Sequence, residues 1–266
     1  MGTQLKGLMG TIEYSVNKKE ELFQKSKARY FTRAILACVF LSLGVAVSCY
    51  VADKANHIVH DGGKFLYAFM FSWSLVMITY MNAELGTSNM MYLTAGVHRK
   101  FVSLSTAAKI LLACVALNFV GAVLTTYVIS LSDAYSHVGA DHYLIEATVA
   151  KLAKSPLTQF AEGILANILV NVAVFCGLRM KDDAGKVIAI VFIIYIFAFL
   201  GFEHVIANFS LFSLAYWTTG GAVEGMTLGN VLSNFLFSGL GNYVGGGICV
   251  GLLYSWLNQK SELYYD

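Results

Sequence analysis

The stretch GFEHVIAN (Gly201–Asn208) sets an acid beside an imidazole, with IAIVFIIYIFAFL before it and FSLFSLAYW after it. A charged side chain at the centre of a bilayer costs several kcal/mol, so a residue kept there usually has work to do. His204 is the cheapest ionisable choice, because its ring can be neutral. It can hydrogen-bond a passing anion or give it a proton; its blander reading is a buried ring bonded to a backbone carbonyl. A second stretch repeats the spacing. In AELGTSN (Ala83–Asn89), Glu84 stands five residues before Asn89, as Glu203 stands five before Asn208. Both acids interrupt an apolar run that then resumes. Gly86-Thr87-Ser88 continues a helix poorly, since glycine costs about 1 kcal/mol relative to alanine. Two roles are open to the glutamates. They can accept hydrogen bonds from backbone N–H groups freed by a helix break, with Asn89 and Asn208 capping the helix that follows, or they can relay protons. Thr87 and Ser88 add hydroxyls.

The elements that carry these residues are membrane spans. The chain has 266 residues, 57% of them hydrophobic and 13% charged. A soluble domain normally carries about 25% charged residues. Six apolar segments follow: Ala34–Ala52, Phe65–Ala83, Ile110–Ser132, Leu157–Leu178, Val187–Trp217 with its interruption at Glu203 and His204, and one within Gly225–Gln259. The first 33 residues are too polar for the apolar core of a signal peptide. The net charge of +2 and the lack of a basic cluster give no sign of nucleic-acid binding. The five cysteines have neither zinc-site nor CxxC spacing, and no HExxH, GxSxG or paired-histidine motif occurs, so no metal, cofactor or enzyme chemistry is expected.

Lysine and arginine orient the spans. Fourteen of the 18 lie in the N-terminal segment, the second and fourth loops and the tail, including Lys6 and Lys260. The odd loops hold only Lys54, Lys64, Lys151 and Lys154. Both termini are therefore expected in the cytoplasm. Lys18–Phe31 reads either as an amphipathic helix on the inner membrane surface or as a solvated helix end.

The halves match in three places. Ile35-Leu36-Ala37 recurs as Ile164-Leu165-Ala166, Glu84…Asn89 as Glu203…Asn208, and NFVG (Asn118–Gly121) as NYVG (Asn242–Gly245), at offsets of 129, 119 and 124. An odd number of spans per half makes the repeat inverted, as in many transport proteins. The expected fold is all-α and integral to the membrane: six helices in an inverted 3+3 repeat, the second and fifth broken. One domain covers 1–266, with an N-terminal segment (1–33), a first repeat (34–131), an outer loop (132–158), a second repeat (159–257) and a tail (258–266). Gly241, Gly245, Gly247 and Gly251 form small-xxx-small pairs that serve contacts within one protomer or between protomers.

AELGTSNMM, NFVGAVL, GILANILVNVAVF, GFEHVIAN and LGNYVGGGICVGLLY together resemble the formate/nitrite transporter family, in that family's order over all but the first span. The resemblance implies an aquaporin-like fold and a homopentamer in the cytoplasmic (inner) membrane, with a pore in each protomer. Small monovalent anions would pass passively: formate, nitrite and, in one branch, hydrosulfide. It implies a central histidine at His204, a threonine in the loop that breaks the second helix at Thr87, and a basic residue at Lys151, sixteen positions before Asn167. It also implies apolar constrictions at Leu75, Leu85 and Phe197, with Phe71 near the outer mouth. Lys154 is three residues from Lys151 and can share its role. The family often has a phenylalanine directly before the threonine, where this chain has Gly86. That departure and the NMM run fit the hydrosulfide branch better than the formate branch. Two alternatives stand beside the channel: a proton-coupled carrier of small weak acids, and an aquaporin-type neutral pore. The second lacks its Asn-Pro-Ala pair, because the sole proline is Pro156.

Overall fold

The computed structural model describes residues 7–259. Lys6, Lys260 and the tail from 260 onward, which entered the charge asymmetry above, lie outside the described residues. The described chain is helical: α1 (Gly7–Lys25), α2 (Lys27–Asn56), α3 (Gly62–Tyr80), α4 (Gly86–His98), α5 (Leu104–Ser130), α6 (Tyr143–Leu152), α7 (Pro156–Arg179), α8 (Asp183–Leu200), α9 (Val205–Thr219) and α10 (Leu228–Asn242). Beyond α10 the helix widens to π geometry over Tyr243–Leu252 and ends at Leu257. Five helices are long and apolar enough to cross a bilayer: Lys27–Asn56, Leu104–Ser130, Pro156–Arg179, Asp183–Leu200 and Leu228–Leu257.

Local chemistry sets the helix ends. Ser103, Ser155, Asp182 and Thr227 each accept a bond from the backbone N–H three residues on, and so satisfy one of a helix's orphan donors. Pro156 opens α7 where its missing N–H costs nothing. Gly201, at φ 70°, terminates α8. Asn82, at φ 51°, follows α3 in the left-handed region that asparagine tolerates.

Two breaks result, over 81–85 and 201–204. The second contains Glu203 and His204, as expected, while the first lies slightly upstream of its expected site. Gly86, Thr87 and Ser88 form the first turn of α4 rather than a loop, because Asn82 has already ended α3 and the Gly86 N–H finds a side-chain acceptor described below. The N-terminal region also differs from expectation. A single helix over Lys18–Phe31 does not form, since the chain turns at Ser26. The apolar stripe of α1 (Leu8, Met9, Ile12, Val16) ends before the charged run and is buried in protein, beside Leu93 and Val102, rather than lying on lipid.

The long helices pack by close backbone approach. A Cβ built on Gly245 would stand 2.1 Å from the Ile164 carbonyl oxygen, and one on Gly241 2.2 Å from that of Phe160. These two glycines thus seat α10 and its continuation on α7, while Gly251 meets the Met91 carbonyl of α4 at 2.6 Å. The glycine stripe therefore serves contacts within the protomer. Gly121 of α5 does the same against Ile35 of α2, at 2.5 Å. Gly121/Ile35 and Gly245/Ile164 carry the same offsets as the sequence matches.

Gly121→Ala and Gly245→Ala should each destabilise the protein by about 3 kcal/mol, because overpacking against backbone has no flexible atom to yield. Gly229→Ala, whose nearest neighbour would be Thr227 Oγ1 at 4.0 Å, should be nearly neutral. Thermal unfolding in detergent measures all three.

Candidate functional site

A helix broken in an apolar setting frees N–H and C=O groups that need partners. At the first break Asn118, from α5, donates through Nδ2 to the carbonyls of Ala34 (2.7 Å) and Glu84 (3.0 Å). Its Oδ1 accepts from the Gly86 N–H at 2.8 Å. At the second break Asn242 donates to the carbonyls of Gly163 (2.8 Å) and Glu203 (2.9 Å), and accepts from the Val205 N–H at 2.8 Å. The two clamps correspond residue for residue.

The carboxylates behind them are buried and bonded to side chains. Glu84 Oε2 accepts from Lys19 Nζ (2.6 Å) and Asn89 Nδ2 (3.0 Å). Glu203 Oε2 accepts from Asn208 Nδ2 (2.6 Å) and Asn234 Nδ2 (3.0 Å). Its Oε1 accepts from Lys151 (2.9 Å) and Lys154 (2.8 Å). This corrects two expectations. Among the described residues neither glutamate takes a freed backbone N–H, and Asn89 and Asn208 do not cap α4 and α9. Both asparagines sit within the first helical turn, where their side chains reach back to the carboxylates. The backbone donors go to Asn118 and Asn242 instead. Asn167 stitches the halves together by donating to the carbonyls of Thr87 (3.1 Å) and Asn242 (2.8 Å).

His204 caps α9 itself. Its Nδ1 accepts from the Ala207 N–H at 3.1 Å. Nδ1 therefore carries no hydrogen, and in the neutral ring the hydrogen stands on Nε2. Nε2 lies 2.8 Å from Thr87 Oγ1. The Thr87 oxygen accepts this bond, which leaves its own O–H free to donate. Both residues are buried. The expected loop threonine is thus a residue of the first turn of α4, fixed against the imidazole.

Three cavities follow one another here, and His204 stands in the wall of two of them. The largest, about 300 Å³, opens beside α1 and is lined in part by Lys18, Lys19, Arg33, Leu75, Ile78 and Leu85. A chamber of about 20 Å³ comes next, with Leu75, Ile78, Leu85, Phe71, Phe197 and His204 in its wall. A third, about 30 Å³, is lined by Tyr67, Phe71, Phe197, His204, Asn208 and Lys151 among others. Shared walls identify the separators. Leu75, Ile78 and Leu85 divide the α1-side cavity from the chamber. Phe71, Phe197 and His204 divide the chamber from the Lys151 side. Phe71 and Phe197 meet edge to face at 5.5 Å, and Phe197 stands 5.8 Å from the imidazole. Phe71 lines both the chamber and the cavity on the Lys151 side.

Gly86 does not face this path. Its Cβ would meet Val115 at 2.9 Å, Asn118 Oδ1 at 3.1 Å and Ile206 at 3.5 Å. Leu85 supplies the wall there, so the glycine leaves no gap. Sequence reasoning missed Lys19, Tyr67, Ile78 and Asn234. Lys19 lies in a polar run 65 residues from its partner Glu84, and no local pattern marks it. Asn118 and Asn242 were visible as a matched pair, but the match carried no sign of their role.

The Lys151 end is charged but closely paired. Burial pushes the Lys151 ammonium below the ordinary lysine pKa, against the pull of Glu203. Burial works the same way on Lys154, yet Glu203 and Glu162 carry that group above the ordinary value.

Apolar helices, two paired breaks and a buried imidazole between cavities define a membrane transport protein. The profile described as formate/nitrite transporter matches residues 9–256. An uncharacterized transporter of Bacillus subtilis (strain 168), YwcJ, is 27% identical over 250 residues, covering 93% of this chain and 96% of its own length. Among solved structures, an FNT family ion channel superposes with a TM-score of 0.86 at 23% identity, covering 93% of this chain and 97% of the other. A pentameric formate channel with formate bound gives 0.77 at 24% identity, covering 88% and 98%. The chain therefore belongs to the formate/nitrite transporter family, whose members are transporters and channels rather than enzymes.

Replacing Asn118 or Asn242 with Leu should each cost about 2–4 kcal/mol, because three buried backbone groups lose their partner at once. Detergent melting curves of the two variants should fall by similar amounts.

Proposed function

We propose that the chain is a passive channel for small monovalent anions. Hydrosulfide, formate and nitrite are the candidates. The observation that carries this reading is the buried imidazole of His204, held against Thr87 and set in the wall of a chamber whose separators are otherwise apolar. The neighbouring carboxylate, Glu203, is already taken up by Lys151 and Lys154, so the imidazole N–H/O–H pair suits an anion better than a cation. A chamber of about 20 Å³ admits one species little larger than water. Size alone orders the candidates as hydrosulfide, then formate and nitrite. The formate bound in the pentameric neighbour supports the same class of substrate.

The anion is drawn to Lys151, passes Phe71 and Phe197, meets His204 and Thr87, and leaves past Leu75 and Leu85 to the α1-side cavity. The apolar rings strip hydration and hold back hydrated cations. Partial positive charge at the N-termini of α4 and α9 favours the anion near the centre. We further read α3–α4 and α8–α9 as the second and fifth of six spans, in an inverted repeat about an axis in the membrane plane. The matched asparagine clamps support this. We read α1 and both termini as cytoplasmic and the Lys151 cavity as facing outward, in a cytoplasmic (inner) membrane, a reading that the lysine and arginine asymmetry supports. Five protomers assemble as in the pentameric neighbour, each with its own path.

His204→Phe should lower anion flux in proteoliposomes by about tenfold or more, with the pentamer intact, since a lost donor to an anion costs about 1.5–3 kcal/mol. Thr87→Val should act in the same direction. Unchanged flux in both would remove the central site. A panel of hydrosulfide, formate, nitrite, acetate and chloride ranks the substrates. Current driven by voltage without a proton gradient separates a channel from a proton-coupled carrier.

A further inference from the structure

Lys154 and Glu162 lie beside the proposed path but do not line it. Lys151 lines the cavity on its side of His204, and Lys154 does not. Both lysines donate to one oxygen, Glu203 Oε1. Lys154 also donates to Glu162 Oε2 (2.5 Å) and to the Gly201 carbonyl (2.8 Å), so all three of its N–H groups are committed. Lys151 donates to Glu203 and to the Phe202 carbonyl (3.2 Å), which leaves one N–H for the cavity. The four charged groups sum to zero. The opposite break is simpler. Glu84 pairs with Lys19 alone among the described residues. One lysine is thus enough to hold a carboxylate at such a break, and the extra pair at Glu203 needs another reason.

We propose that Lys154 and Glu162 are a positioning pair that sets how much of the Lys151 charge reaches the anion path. Lys154 takes a share of Glu203, which leaves Lys151 less fully neutralised. Glu162 in turn holds back Lys154. The role rests on the anion-conducting reading and deepens it, because capture of substrate at Lys151 is the step it tunes. In a poorly solvated site one unit of charge a few ångströms from the path acts strongly. The effect falls on half-saturation rather than on maximal rate, since neither residue touches the narrow chamber.

The test is initial uptake of formate and of nitrite into proteoliposomes over a range of concentrations. Glu162→Gln is the decisive variant, because the amide oxygen can still accept from Lys154 while the negative charge is gone. It should lower KM by roughly two- to fourfold. Lys154→Met should raise KM by a similar factor. The double variant restores zero net charge and should return close to the parent, and Lys154→Arg should keep the parent value. A merely structural ion pair would make both single variants worse together and leave the double no better. That pattern, or an unchanged KM in Glu162→Gln, overturns the proposal. If Lys154→Met fails to assemble, Glu162→Gln decides alone. His204→Phe separates the two levels: if it abolishes flux while Glu162→Gln leaves KM unmoved, only the role of this pair fails; if it leaves flux intact, the central-site reading fails first.

Discussion

A helix interrupted inside a membrane protein exposes backbone groups that lipid cannot satisfy. The rest of the structure follows from how this chain meets that demand twice. At each break an asparagine from a neighbouring helix binds two carbonyls and one N–H. Asn118 does so for Ala34, Glu84 and Gly86, and Asn242 for Gly163, Glu203 and Val205. These bonds tie three separate helices to one point. They leave the first turns of α4 and α9 oriented, and those turns carry Thr87 and, through its own cap, His204.

The clamps work only if the helices come close. Gly121 on α5 and Gly245 beyond α10 remove the side chain that would hold α2 and α7 away. Each lies three residues beyond a clamping asparagine, so one helix face supplies both the close approach and the polar bond. The buried carboxylates complete the arrangement. An unpaired carboxylate here would be far too costly. Glu84 and Glu203 are each held by a lysine and by the asparagine five residues on. That pairing argues for a structural role of the acids over a proton relay, since Glu203 accepts through both oxygens and Glu84 is tied through Oε2 to a lysine and an asparagine.

The centre is thereby left with donors and apolar walls. The Ala207 N–H holds His204 Nδ1, so the ring hydrogen points to Thr87 and the threonine hydrogen remains free. Leu75, Ile78 and Leu85 on one side, and Phe71 and Phe197 on the other, keep that chamber narrow. Polar donors and apolar walls thus come from separate residues. The backbone clamp fixes the donors, and the apolar side chains fix the width.

Much of this was legible in the sequence, for reasons that are local. Apolar runs of bilayer length marked the spans, and an acid within such a run marked each interruption to within a few residues. Equal Glu–Asn spacing and the recurring NFVG and NYVG showed that the halves are built alike. These signals survive in a single sequence because each depends on residue type within one helix. What only the tertiary structure decided depends on contacts between distant residues. Lys19 meets Glu84 across 65 positions, and Thr87 meets His204 across 117. Asparagine type did not reveal that Asn118 and Asn242, rather than Asn89 and Asn208, take the freed backbone groups. Nor did glycine type reveal that position 86 points at α5 and not at the path. Those outcomes follow from helix rotation and crossing, which are set by the packing of the whole bundle and leave no mark in a local pattern.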